Sequence, residues 1–88
     1  MGLVDELTVI ITGAGAGIGR ATALCFASEG AQVVVSDIDS NGAAETVNMI
    51  EKAGGTATLV TADVSKPADV AALIDMAVAT YGKIDCAV

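Results

Sequence analysis

The sequence contains no histidine and no tryptophan, and only one proline, one phenylalanine and one tyrosine. Without histidine, Ser-His-Asp and Cys-His catalysis are excluded within this chain, and the commonest zinc ligand is missing. Basic residues are scarce, 4 against 11 acidic ones for a net charge of −7, and none are clustered. That balance argues against nucleic acid or an anionic membrane surface as a partner. The two cysteines, Cys25 and Cys86, are far apart and each sits in an apolar run. They read as buried thiols of a reducing compartment, and no Cys-x-x-Cys spacing suggests a redox or metal pair. Met1 to Glu6 has neither the positive start nor the apolar core of a secretory signal. No apolar run approaches the roughly 20 residues needed to span a bilayer, so the expected location is cytoplasmic.

What is abundant is small and aliphatic. Hydrophobic residues make up 53% of the 88 positions but aromatics only 2%, so the core must be built from valine, isoleucine and alanine packed close to backbone. At 88 residues the chain is either one small domain or part of a larger one.

The hydrophobic pattern alternates between two periods. Leu7 to Thr12 is a short β-branched run without helical gaps, which predicts a strand buried on both faces. A glycine-rich stretch, Gly13 to Gly19, precedes a helix over Arg20 to Glu29 that Gly30 would terminate. Gln32 to Ser36 predicts a second buried strand, with Asp37 at its end. Ser40 to Lys52 carries Ala43, Val47 and Ile50 on one stripe and stops at Gly54-Gly55. Thr56 to Thr61 predicts a third strand, polar enough to lie near a sheet edge. Ser65 and Pro67 mark a helix start, Ser65 being well placed as its cap, and Val70, Leu73, Ile74, Ala77, Val78 and Tyr81 then recur at helical spacing until Gly82. Ile84 to Val88 begins a fourth strand. The order β-α-β-α-β-α-β predicts an α/β fold with a parallel sheet, right-handed crossovers and helices on both faces.

The stretch from Thr12 to Arg20 carries the chemistry. Four glycines in seven residues would each cost a helix or strand about 0.5–1 kcal/mol, so the backbone itself is needed there. Glycine allows a tight turn and close approach to a phosphate, while the amides and dipole at a helix N-terminus attract negative charge. The Gly-x-Gly-x-x-Gly frame fails from Gly13, because Ile18 stands in the last place, and from Gly15, because Arg20 does. The phosphate-loop pattern fails for want of Gly-Lys-Ser/Thr. Thr-Gly-x-x-x-Gly-Ile-Gly fits, through Thr12, Gly13, Gly17, Ile18 and Gly19; a glycine-rich turn without ligand is the alternative. Asp37 lies 24 residues after Gly13 (37 − 13), at the end of the second strand, where a carboxylate can accept from ribose hydroxyls and repel a 2′-phosphate. The competing reading is a solvated loop acid or a helix N-cap, and Asp39 or Ser40 fills the cap more naturally.

These residues resemble the short-chain dehydrogenase/reductase family. The likeness runs through Thr12 to Gly19, Gly30-Ala31, Asp37, Asp63-Val64 and Gly82-Lys83-Ile84-Asp85. It implies a Rossmann-type doubly wound sheet with strand order 3-2-1-4, residues 1–88 being the N-terminal cofactor-binding portion of one domain. It also implies NAD rather than NADP, because Ala16 and Ile38 stand where NADP users tend to carry a basic residue. Cofactor contacts would fall to Gly13, Ala16, Gly17, Ile18, Gly19, Asp37, Ile38, Asp63 and Val64, with Asp63 near the adenine amine and Val64 against the ring. Arg20 reads as a surface residue of its helix. Tyr81 and Lys83 are two apart, not at the family's catalytic Tyr-x-x-x-Lys spacing, so Tyr81 reads as a core residue. Asp69 and Asp75 read as solvated, and Met49 and Met76 as packing residues.

The implied function is the NAD-binding part of an oxidoreductase interconverting alcohol and carbonyl, with no metal and with the family's catalytic Ser, Tyr and Lys beyond Val88. The chain alone would then be inactive; a free-standing adenine-nucleotide module without turnover is the alternative. The family's full-length members imply a homo-oligomer, and an open fourth strand implies self-association of this chain.

Overall fold

The computed structural model describes residues 7–87. The expectation for Met1 to Glu6, and Val88 at the end of the fourth strand, lie outside the described residues, as does the side chain of Cys86. Seven elements alternate: β1 (Thr8–Ile11), α1 (Gly17–Ser28), β2 (Gln32–Asp37), α2 (Ser40–Lys52), β3 (Thr56–Thr61), α3 (Pro67–Tyr81) and β4 (Cys86–Ala87). All pairings are parallel and the sheet order is β3-β2-β1-β4.

Side chains alternate across the two central strands, so a continuous β-branched run feeds two cores. Val9, Ile11, Val33 and Val35 face α1 and α2, where Ala23, Ala27, Ala43 and Ile50 meet them. Ile10 and Val34 face α3, which covers them with Leu73 and Ala77. Val9, Val33, Val34 and Val35 are fully buried, each contributing about 1.5–3 kcal/mol on the hydrophobic scale. Alanine on the helices keeps them close to the sheet. β3 is an edge strand with no fully buried residue, which explains its polar composition.

Local signals set most boundaries. Asp39 caps α2 by accepting from the N–H groups of Asn41 (3.1 Å) and Gly42 (3.3 Å). α1 and α2 both end in a paired hydrogen-bond motif around a left-handed glycine: Gly30 and Ala31 donate to Ala27 and Phe26, and Gly54 and Gly55 to Glu51 and Ile50. The chain enters β4 through Asp85, whose carboxylate accepts the Thr8 N–H at 2.8 Å and pairs with Lys83 at 3.1 Å. Those bonds, the Thr8 N–H first, hold the Asp85 carboxyl below its ordinary value.

Several expectations are corrected. α1 begins at Gly17, three residues before the expected Arg20, because first-turn amides lack intrahelical partners and glycine is cheap there. Lys66, not Ser65, is the N-cap of α3, since Pro67 takes the first helical position; Ser65 instead bonds Asp63. Asp69 is not merely solvated: its carboxylate accepts the Asp63 N–H at 2.9 Å. Cys25, Met49 and Met76 are exposed rather than buried, and Ile74 and Val78 leave the α3 stripe half-open. The helices bury only the narrow lines that face four strands. Tyr81 is a partly buried core residue as expected, its hydroxyl 2.6 Å from that of Thr58.

Candidate functional site

The chain leaves β1 at the carboxyl edge of the sheet, next to the strand where the order reverses: α1 leads to β2 and β3 on one side, and α3 crosses back to β4 on the other. Ligands of open α/β sheets bind at such a reversal. At that corner Thr12 to Ala16 forms a turn that delivers α1. Gly13 and Gly17 have φ of +64° and +58°, a region that disfavours any side chain. A Cβ on Gly19 would overlap the Gly13 carbonyl, so α1 starts with its backbone pressed against the turn. Ala16 is the N-cap in an extended conformation and supplies no capping side chain. The first-turn amides of Gly17, Ile18 and Gly19 thus emerge beside a loop without a capping acid.

Asp37 closes the other side. Its Oδ2 accepts the Gly15 N–H at 2.8 Å and its Oδ1 accepts the Asp39 N–H at 3.0 Å. These bonds, Asp39 first and Gly15 next, outweigh partial desolvation and hold its carboxyl below the ordinary value. Asp63 follows β3 and accepts from the Ser65 hydroxyl at 2.6 Å and the Ser65 N–H at 2.9 Å, which likewise lowers its value. Both acids are therefore ionised at neutral pH. They can accept hydrogen bonds, and neither is tuned to act as a general acid.

A cleft of about 220 Å³ lies between these groups, lined by Gly13, Asp37, Ile38, Ala62, Asp63 and Val64. Ile38 and Val64 are 68% and 56% exposed, and Ile18 on the first turn of α1 is 87% exposed. Three large apolar side chains left open at one rim of the sheet form walls suited to a flat apolar group. Among the nine expected site residues, Gly13, Asp37, Ile38, Asp63 and Val64 share this cleft, while Ala16, Gly17, Ile18 and Gly19 form the adjoining helix start. A second cleft, about 160 Å³ between Leu24, Ala27, Ser28, Ile50, Ala53 and Gly55, is lined by no charged group.

Two contributors carry no signal in the local sequence. Ala62 lines the cleft, and only its place before Asp63 hints at that. Arg20, expected on the surface, keeps 23% of its side chain exposed and bonds Thr46 and the Gly15 and Gly42 carbonyls. Its partners lie up to 26 residues away, so no local pattern announces them. Among the described residues no helix is long and apolar enough to cross a membrane.

Comparison with known proteins agrees with this geometry. The family model for short chain dehydrogenase matches residues 7–88. The chain is 44% identical over 82 residues to the 7alpha-hydroxysteroid dehydrogenase of Escherichia coli K12, covering 93% of this chain and 32% of that protein. It is 47% identical over 77 residues to the short-chain dehydrogenase/reductase homolog YusS of Bacillus subtilis, covering 86% of this chain and 71% of that one. A solved 7alpha-hydroxysteroid dehydrogenase complexed with NADH and 7-oxo glycochenodeoxycholic acid superposes with a TM-score of 0.94 at 43% identity, over 96% of this chain and 33% of that one. The chain spans about a third of the length of the first curated relatives it matches. With the fingerprint turn, the acid that ends β2 and the Rossmann sheet in place, the chain belongs to the short-chain dehydrogenase family.

Proposed function

We propose that this chain is the NAD-binding portion of an oxidoreductase that interconverts an alcohol and a carbonyl compound. One observation carries the reading: the uncapped α1 N-terminus and the ionised Asp37 carboxylate converge on the same corner, joined through Gly15. The donor set fits the cofactor. Main-chain amides of Ala16 to Gly19 suit a pyrophosphate, Asp37 suits the adenosine ribose hydroxyls, and Ile38 and Val64 suit the two faces of adenine, with Asp63 toward its amine. The close contact of Gly19 with the Gly13 carbonyl, where a Cβ has no room, sets the α1 start tightly against the turn, so the first-turn amides are backed by main chain.

NAD is favoured over NADP because a carboxylate at residue 37 repels a 2′-phosphate and neither Ala16 nor Ile38 supplies a compensating cation. When bound, nicotinamide would carry the hydride of the reaction. This chain's own part is to bind and orient: Asp37 fixes the ribose, the α1 start fixes the phosphates, and the apolar rim excludes water from the adenine. Proton transfer would fall to the family's catalytic Ser, Tyr and Lys beyond Val88. The NADH complex of a relative supports the cofactor class, and the bile acid in that complex belongs to that relative.

The same reading expects a cytoplasmic protein and, since β4 is an edge of the sheet among the described residues, association through that strand. The rival, a nucleotide module without turnover, draws on the site's content, since every group described there binds and none is tuned for proton transfer. Calorimetric titration with NAD and with nicotinamide mononucleotide tests the proposal: NAD should bind and the mononucleotide should not. NADH oxidation against a panel of carbonyl compounds completes the test. Turnover by this chain would overturn the assignment of catalysis to residues beyond Val88, and absence of any NAD binding would overturn the cofactor reading.

A further inference from the structure

Two consecutive residues of the fingerprint turn, Ala14 and Gly15, have all four of their backbone polar groups engaged by the protein. The Ala14 N–H donates to the Ser36 carbonyl at 3.0 Å. The Ala14 carbonyl accepts the Thr46 hydroxyl at 2.7 Å. The Gly15 N–H donates to Asp37 at 2.8 Å. The Gly15 carbonyl accepts from Arg20 Nη2 at 2.5 Å. Both N–H groups are thereby spent and both carbonyls are held by side chains of the protein, whereas the amides from Ala16 onward lead into the uncapped helix start.

Arg20 is the hub. Its Nε donates to Thr46 Oγ1 at 2.9 Å, and its Nη2 donates a second bond to the Gly42 carbonyl at 3.1 Å. The Thr46 side chain is fully buried; its hydroxyl accepts from Arg20 and has two acceptors in reach for its one proton, the Ala14 carbonyl at 2.7 Å and the Gly42 carbonyl at 3.2 Å, of which the Ala14 bond is the shorter. The Nη1 pairing with Glu45 at 3.4 Å is peripheral, because Glu45 is 66% exposed. α2 must come close for this to work, and Gly42 permits it: a Cβ there would stand 2.7 Å from the Gly15 oxygen. A planar guanidinium spreads its donors over three nitrogens in a fixed fork and so reaches two carbonyls and a hydroxyl at once, whereas the three donors of a lysine radiate from a single nitrogen.

We propose that Arg20 and Thr46 are positioning residues for cofactor binding, which clamp the Ala14 and Gly15 carbonyls to α2 and so hold the α1 N-terminus at a set distance from Asp37. The turn is thereby divided, residues 14–15 serving the protein and 16–19 the ligand. The inference rests on the nucleotide reading given above. It goes beyond it in making the spacing between the pyrophosphate and ribose subsites the work of two residues that touch neither.

The test uses the whole chain with Arg20→Ala, Arg20→Lys, Thr46→Val and Thr46→Ser. Without ligand, amide exchange at Gly15 should quicken by about 10-fold in Arg20→Ala and Thr46→Val, as expected for losing a charge-assisted or buried hydrogen bond, and recover in Thr46→Ser. With ligand, NAD, which spans both subsites, should bind about 10-fold more weakly in the same two variants, while adenosine, which reaches only the Asp37 side, changes less than about 2-fold. Arg20→Lys should fall between, and it serves as the graded variant if Arg20→Ala does not fold. Unchanged Gly15 exchange in a folded Arg20→Ala or Arg20→Lys protein would overturn the clamp, as would equal weakening of NAD and adenosine, the signature of general loosening. If the unaltered chain binds neither ligand, the nucleotide reading falls, and Gly15 exchange alone still decides the clamp.

Discussion

Replacing Asp37 with asparagine separates two roles that one carboxylate combines. In the structure each oxygen accepts a backbone N–H, Gly15 at 2.8 Å and Asp39 at 3.0 Å, so a side-chain amide in the same place must present its NH₂ to one of two donors. A hydrogen bond to a charged acceptor contributes about 1.5–3 kcal/mol when buried, and at this largely solvated side chain roughly 1 kcal/mol is a fairer figure. NAD affinity should therefore fall by about 5- to 10-fold. The electrostatic role works the other way for NADP. A 2′-phosphate of charge near −2, about 4 Å from the carboxylate, is repelled by roughly 2 kcal/mol in water-like surroundings and somewhat less at moderate salt. Removing the charge should improve NADP binding by about 10-fold, moving the preference between cofactors by on the order of 50- to 100-fold. Calorimetry of both proteins with both cofactors at two ionic strengths distinguishes the terms. The NADP gain should shrink as salt shortens the screening length from about 10 Å at 0.1 M toward about 3 Å at 1 M, while the NAD loss stays. A preference that does not move, or a NADP gain indifferent to salt, would refute the assignment of Asp37 as the acid that reads the ribose.

Gly19→Ala should destabilise the chain by about 1–3 kcal/mol, because its methyl overlaps the Gly13 carbonyl and the α1 start must retreat; a urea midpoint within error of the unaltered protein would contradict that packing. Acid should weaken the fold. Asp37, Asp63 and Asp85 all bind their protons less readily folded than unfolded, so their stabilisation is complete above the ordinary value of 3.8 and is lost as pH falls through their lowered values. Relief of the net charge of −7 acts in the opposite sense, so the comparison is with Asp85→Asn, whose urea midpoint should fall less steeply below about pH 4. Equal slopes for the two proteins would remove Asp85 from the account.

Which features are legible in the sequence follows from how far apart their causes lie. α2 runs over Ser40–Lys52 as read, because its start depends on Asp39 two and three residues before the amides it caps, and its end on Gly54. The sheet is legible because a short, uninterrupted aliphatic run, buried on both faces, leaves no other use for Gln32 to Asp37. Exposure is less so: Cys25, Met49 and Met76 stand on helices whose buried line is settled by where the sheet lies beneath them, and apolar type alone does not choose between adjacent helical positions. The start of α1 is hidden for a different reason, since glycine is costly in a helix interior but not in a first turn, and composition alone does not separate the two.

The binding corner divides along the same line. A site made of main chain leaves its mark in the residues that make main chain accessible, so Gly13, Gly17 and Gly19 can be named from spacing, and Asp37 from its place at the end of a strand. What holds that main chain in place leaves no such mark. Arg20 meets Thr46 and Gly42 only because α1 and α2 pack on the same face of the sheet, and nothing near Arg20 in the chain distinguishes it from an ordinary helix-surface arginine. Gly42 is silent for the reason that hides the start of α1: glycine is cheap in a first turn, so only the structure, which sets the Gly15 carbonyl against the place a Cβ on Gly42 would take, shows what its smallness serves.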